Sequence, residues 1–138
     1  IATNLFKRGS DIFDRHLYEK GSLVLHMIRS MLGDRLWWKA INHYVKKNAG
    51  SSVETENLIV AIEEATGKNF RKFFDQWIFK AGHPEYKVLY YWDAKKKEAI
   101  VRVAQTQKSG EETPLFSMPI DFDFKLKSGS KRFSEIVQ

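Results

Sequence analysis

The hydrophobic period of this chain changes once, at Pro84, and that change constrains the fold more than any other feature of the sequence. Before Pro84 apolar residues recur every three or four positions, the period of a helix with one buried face. After it they alternate, the period of a strand with one buried and one wet face. The segment Ala81-Gly82-His83-Pro84 suits such a junction, because glycine accepts positive φ and the residue before proline is pushed to extended geometry.

The helical part resolves into about four segments. Leu25, Ile28 and Leu32, with Val24, Met27 and Met31 beside them, make one stripe that Gly33 can stop in a left-handed conformation. Asp34 is read as the cap of a second helix whose inner side is Trp37, Ile41, Tyr44 and Val45, ending in the polar run 46–50. Thr55 is read as the cap of a third, with Leu58, Ile59, Ile62 and Ala65 inward and Gly67 as terminator. Asn69 opens a fourth, on which Phe70, Phe73, Phe74 and Trp77 repeat at i, i+3, i+4 and i+7. So aromatic a stripe reads as core.

Beyond Pro84, Tyr86, Val88, Tyr90 and Trp92 alternate with Lys87, Leu89 and Tyr91, a turn follows at 93–97, and 100–103 resumes an extended run. A polar loop at 108–113 leads to Met118, Ile120, Phe122, Phe124 and Leu126, alternating with Pro119, Asp121, Asp123, Lys125 and Lys127. Ser128-Gly129-Ser130 turns the chain into a last strand, 131–137, which would complete four antiparallel strands. The expected fold class is therefore α+β: a helical bundle piece followed by an incomplete antiparallel β-sandwich, with domains at 1–83 and 84–138. A sheet with nothing left in the chain to cover its apolar face except the helices reads as unfinished, and the chain as a fragment cut at both ends.

At 138 residues, 43% hydrophobic and 14% aromatic, the chain can bury one ordinary core or two small ones. Its longest apolar runs are too short to span a bilayer. The formal charge of +6 comes largely from short lysine clusters at turns and helix ends, which read as solvated faces rather than a groove tracking phosphates, so nucleic acid is not the expected partner. Zero cysteines exclude a disulfide scaffold and a thiolate metal site. They leave the compartment open, with the cytoplasm favoured over export.

Several chemistries are missing. There is no H-E-x-x-H, Cys-x-x-Cys, G-x-G-x-x-G or Walker loop, and His16, His26, His43 and His83 are scattered with no pair at i, i+4. The stretch that does look like a site is Leu17-Tyr18-Glu19-Lys20-Gly21, just before the first amphipathic helix. A tyrosine there has its ring held by a helix start and its hydroxyl free to donate a neutral hydrogen bond into a cleft. On spacing alone an interface tyrosine with a solvated Glu-Lys pair is the favoured reading.

Tyr18-Glu19-Lys20-Gly21 with the apolar helix to Gly33, and farther on Trp77, four residues, and Gly82-His83-Pro84, resembles the aminopeptidase N family of zinc peptidases. The likeness takes in Trp37, Trp38 and Tyr44 on the second helix and Thr55 with Leu58 on the third, and covers roughly 11–92. It implies that 1–83 is the C-terminal helical part of a catalytic domain and 84–138 the start of a β-sandwich domain. It further implies a zinc-dependent parent that hydrolyses N-terminal residues from peptides, with zinc ligands upstream and none among the residues of this chain, so that the fragment alone is inactive. Tyr18 inherits the role of donating to the oxyanion of the tetrahedral intermediate. Glu19 and Lys20 inherit no catalytic role, and Gly21 is read as permitting close packing. The partners implied are a peptide substrate and the rest of the parent chain. The alternative is an aminopeptidase-like scaffold that kept the fold, lost catalysis and serves protein interaction.

Overall fold

The computed structural model describes residues 7–13, 15–110, 113–127 and 129–137, with the side chains of Ile12 and His16 left aside. The chain divides after Ala81 into two compact units, one helical and one of strands. The class is α+β, four helices followed by two antiparallel two-stranded sheets, an incomplete sandwich.

In the helical unit a π-helical turn, His16–Lys20, runs directly into α1, Gly21–Leu32. Then come α2, Asp34–Lys47, α3, Thr55–Thr66, and α4, Arg71–Phe74, which continues as a second π-helical turn, Asp75–Phe79. The helix α1 packs on α2, and α2 on α3. Their inward residues are Val24, Ile28 and Leu32 from α1, Trp37 and Ala40 from α2, and Ile59, Ala61, Ile62 and Ala65 from α3. Phe73, Phe74 and Trp77 join them, so the aromatic stripe is core; Phe70 lies at its margin with its ring edge-on to Phe73. Fully burying a large aliphatic or aromatic side chain such as Ile28, Ile62 or Phe74 stabilises by about 1.5–3 kcal/mol.

Several local details differ from the sequence reading. Gly33 has positive φ, 73°, but with ψ of 157° it is extended rather than left-handed, and it swings the chain straight into α2. Asp34 is therefore the first residue of α2, not its cap, and its carboxylate accepts from Arg29 Nε at 2.7 Å. The cap of α3 is Glu54, one residue before Thr55: its backbone N–H donates to Asn57 Oδ1 at 2.8 Å, which competes successfully with a threonine hydroxyl. Gly67 does stop α3 in the left-handed region. On α2, Val45 is exposed, and Ala40, which the hydrophobic pattern did not single out, is buried beside Trp37 on the inner face.

In the second unit β1, Tyr86–Asp93, pairs with β2, Glu98–Gln105, and β3, Met118–Leu126, pairs with β4, Gly129–Val137. The four strands thus form two hairpins rather than one four-stranded sheet. Asp93 Oδ1 accepts the N–H groups of Lys95 and Lys96 at 3.0 and 3.1 Å, closing the first turn. The side chain of Gln105 links β2 to the segment before β3, accepting from the Phe116 N–H at 2.9 Å and donating to its carbonyl at 2.7 Å. Gly82 (φ 82°) is held where a Cβ would come within 2.7 Å of the Thr113 side chain, so only glycine fits. Ser128, part of the turn read from the sequence, lies outside the described residues.

Candidate functional site

Tyr18 sits within the π-helical turn. The Lys20 N–H reaches back five residues to the Arg15 carbonyl at 3.1 Å, a widened spacing that an ordinary helix does not make, while the Glu19 N–H makes the usual four-residue bond to the same oxygen at 3.0 Å. Such single turns are rare and recur at functional positions because they reorient one side chain against the regular ladder. No period in the sequence announces one, which is why the reading placed Tyr18 simply before a helix.

The ring of Tyr18 is 64% exposed and meets that of Phe13, with centroids 6.1 Å apart and planes at 58°. Its hydroxyl has no hydrogen-bond partner among the described residues. Next to it Glu19 lies 3.9 Å from Arg15, one helical turn back, and the Glu19 carbonyl accepts the Ser22 hydroxyl at 2.9 Å. Partial burial holds the Lys20 amine below the usual lysine range.

Tyr18 stands on the lining of a cleft of about 570 Å³ between the start of α1, the start of α3, and α4 with its π-helical extension. The walls are Leu17, Val24, Leu25, Leu58, Phe74 and Ile78; Gly21 leaves its side open, and the hydroxyls of Tyr18, Ser22 and Thr55 are the side-chain polar groups. An apolar groove with a few hydroxyls can hold an uncharged chain and offer a donor to a developing negative oxygen. Among the described residues no three His, Cys, Asp or Glu side chains are placed to hold a metal ion.

A second cluster was invisible in the sequence. Glu64 on α3 accepts from Lys47 Nζ at 2.6 and 2.8 Å and lies 2.7 Å from His43 Nε2, both on α2. The Lys47 hydrogen bond, followed by that from His43, holds the Glu64 carboxyl below the usual carboxylate range. Glu64 and His43 line a concavity of about 590 Å³ with Trp38, Lys39, Asn42 and Lys46. Glu64 is 17 positions from Lys47 and 21 from His43, so only the packing of α2 on α3 brings it to them. His43 thus finds a carboxylate partner, whereas His26 and His83 are both exposed on other segments.

Residues 3–77 match the model of the peptidase family M1 domain. The chain is 38% identical over 73 residues to aminopeptidase M1-D of Oryza sativa subsp. japonica, covering 53% of this chain and 8% of that protein. It is 34% identical over 104 residues to aminopeptidase M1-A of the same plant, covering 74% and 11%. With aminopeptidase N of Lactococcus lactis subsp. lactis it shares 35% identity over 74 residues, covering 53% and 9%. The chain therefore spans only about a tenth of the length of these curated relatives.

Proposed function

The chain belongs to peptidase family M1, and from that premise we propose that it is part of a longer zinc aminopeptidase releasing N-terminal residues from peptides, with Tyr18 as its oxyanion donor. The helical part, 1–83, is the C-terminal end of the catalytic domain in this proposal, and 84–138 the beginning of a β-sandwich domain. The observation that carries the reading is the placement of Tyr18: a phenol whose hydroxyl has no hydrogen-bond partner among the described residues, on a π-helical turn at an apolar cleft.

When a peptide carbonyl is attacked, its oxygen gains charge, and a donor already aimed at that position lowers the barrier without reorganising. A phenol suits the task because it donates while remaining neutral. The cleft beside it holds the substrate backbone away from water, which strengthens the bond. Zinc is expected in the intact enzyme, yet the described residues do not fit a zinc site. Its ligands are proposed to lie in the rest of the parent chain.

The test is hydrolysis of a panel of aminoacyl-4-nitroanilides by the full-length protein, with and without a zinc chelator, beside Tyr18→Phe. Turnover that is abolished by the chelator and falls by about a hundredfold or more in the variant is the expected result. A folded, zinc-loaded protein with no turnover on any member of the panel would shift the reading to a non-catalytic scaffold.

A further inference from the structure

We infer that Phe13 is a positioning residue for Tyr18, bracing the phenol ring so that its hydroxyl stays aimed at the oxyanion; the inference rests on the role proposed for Tyr18 above. A donor works at the transition state only if it is held within about 0.5 Å of its productive place. Tyr18 is 64% exposed, so burial in the core does not fix its side-chain torsions. Its ring is instead met by Phe13 at 6.1 Å and 58°, a tilted contact of the kind aromatic pairs prefer.

The mount of that brace is itself tied down. Phe13 follows a short helical turn, Gly9–Ile12, in which Asp11 Oδ2 accepts the N–H groups of Lys7 and Arg8 at 3.1 and 3.0 Å. The Phe13 N–H donates to the Ser10 carbonyl at 3.2 Å. Two separately closed turns, one before Phe13 and the π-helical one carrying Tyr18, therefore present the two rings to each other. Phe13 is 70% exposed and adds little to the core, so its loss changes the freedom of Tyr18 far more than the stability of the unit.

The experiment compares Phe13→Leu, Phe13→Tyr, Tyr18→Phe and the double variant Phe13→Leu/Tyr18→Phe in the full-length enzyme, after thermal unfolding has checked that each is folded. Leucine keeps apolar bulk and removes the ring; tyrosine keeps the ring. Phe13→Leu is expected to lower kcat about tenfold with KM unchanged, and Phe13→Tyr to restore it. In the Tyr18→Phe background the Phe13→Leu change is expected to have no further effect, because its route to the reaction is gone. A full additional loss in the double variant, or an effect confined to KM, would overturn the inference and make Phe13 a direct substrate contact. Full activity of Tyr18→Phe would instead sink the role of Tyr18 and this inference with it. Failure of the brace alone leaves the Tyr18→Phe loss intact, so the two failures are told apart.

Discussion

Phe73, Phe74 and Trp77 are each under a tenth exposed, whereas Tyr90 and Trp92, on a strand at least as apolar, are 83% and 62% exposed. Of the thirteen buried apolar residues among those described, twelve belong to the helical unit and Phe116 to the strand unit. Helices that follow one another along the chain can close a core from neighbouring segments. A hairpin of two strands has faces but no second layer of its own, and in isolation is marginal in water. The helical unit accordingly holds most of the described buried core, and it is the part that carries Tyr18.

The contrast can be broken most readily by truncation. Phe74→Ala is expected to lower stability by about 3–5 kcal/mol, since it empties a site that is 1% exposed, while Tyr90→Ala changes it by less than about 0.5 kcal/mol. Denaturant titration of the two variants checks this; equal losses would mean the strand unit carries a core of its own. Hydrogen exchange sharpens the same point. Amides in the middle of α1, α2 and α3 are expected to open only with global unfolding, and those of the β1–β2 pair to exchange through smaller openings.

A smaller effect concerns acid. Hydrogen bonding to Lys47 and His43 depresses the Glu64 carboxyl, as Arg29 depresses Asp34 and Arg132 depresses Asp123. A carboxyl whose folded pKa is lowered stabilises the fold above its unfolded pKa, and that contribution is lost as pH falls through the folded value. Stability should therefore decline on acidification below the ordinary carboxylate range, and Glu64→Gln should make that decline shallower. Parallel acid limbs for the variant and the unchanged chain would show that Glu64 does not clamp α2 to α3.

What the sequence disclosed follows from the range over which each signal acts. The aromatic repeat to Trp77 is written in local periodicity, and so was the alternation along β3; on α1 the period found Ile28 and Leu32, but Val24 is buried where Leu25 was expected to lead the stripe. Capping was misplaced by one residue at Thr55, because Glu54 and Asn57 offered a reciprocal pair that single-residue preference does not weigh. The division of the strands into two hairpins depends on pairing between distant segments, and the Glu64 cluster on two helices packing together. Tyr18 was legible as a motif. The π-helical turn and the ring of Phe13 that set its geometry were not, since neither leaves a period.

The most direct test of the proposed oxyanion role is the affinity of the full-length enzyme for a phosphinic dipeptide, a mimic of the tetrahedral intermediate, across a series of variants at Tyr18. The account predicts that Tyr18→Phe loses affinity for the mimic in proportion to its loss of kcat/KM, about 10²–10³ in both, while substrate KM stays nearly constant. Unchanged affinity for the mimic, alongside lost activity, would contradict it and assign the phenol to some step other than stabilising the oxyanion.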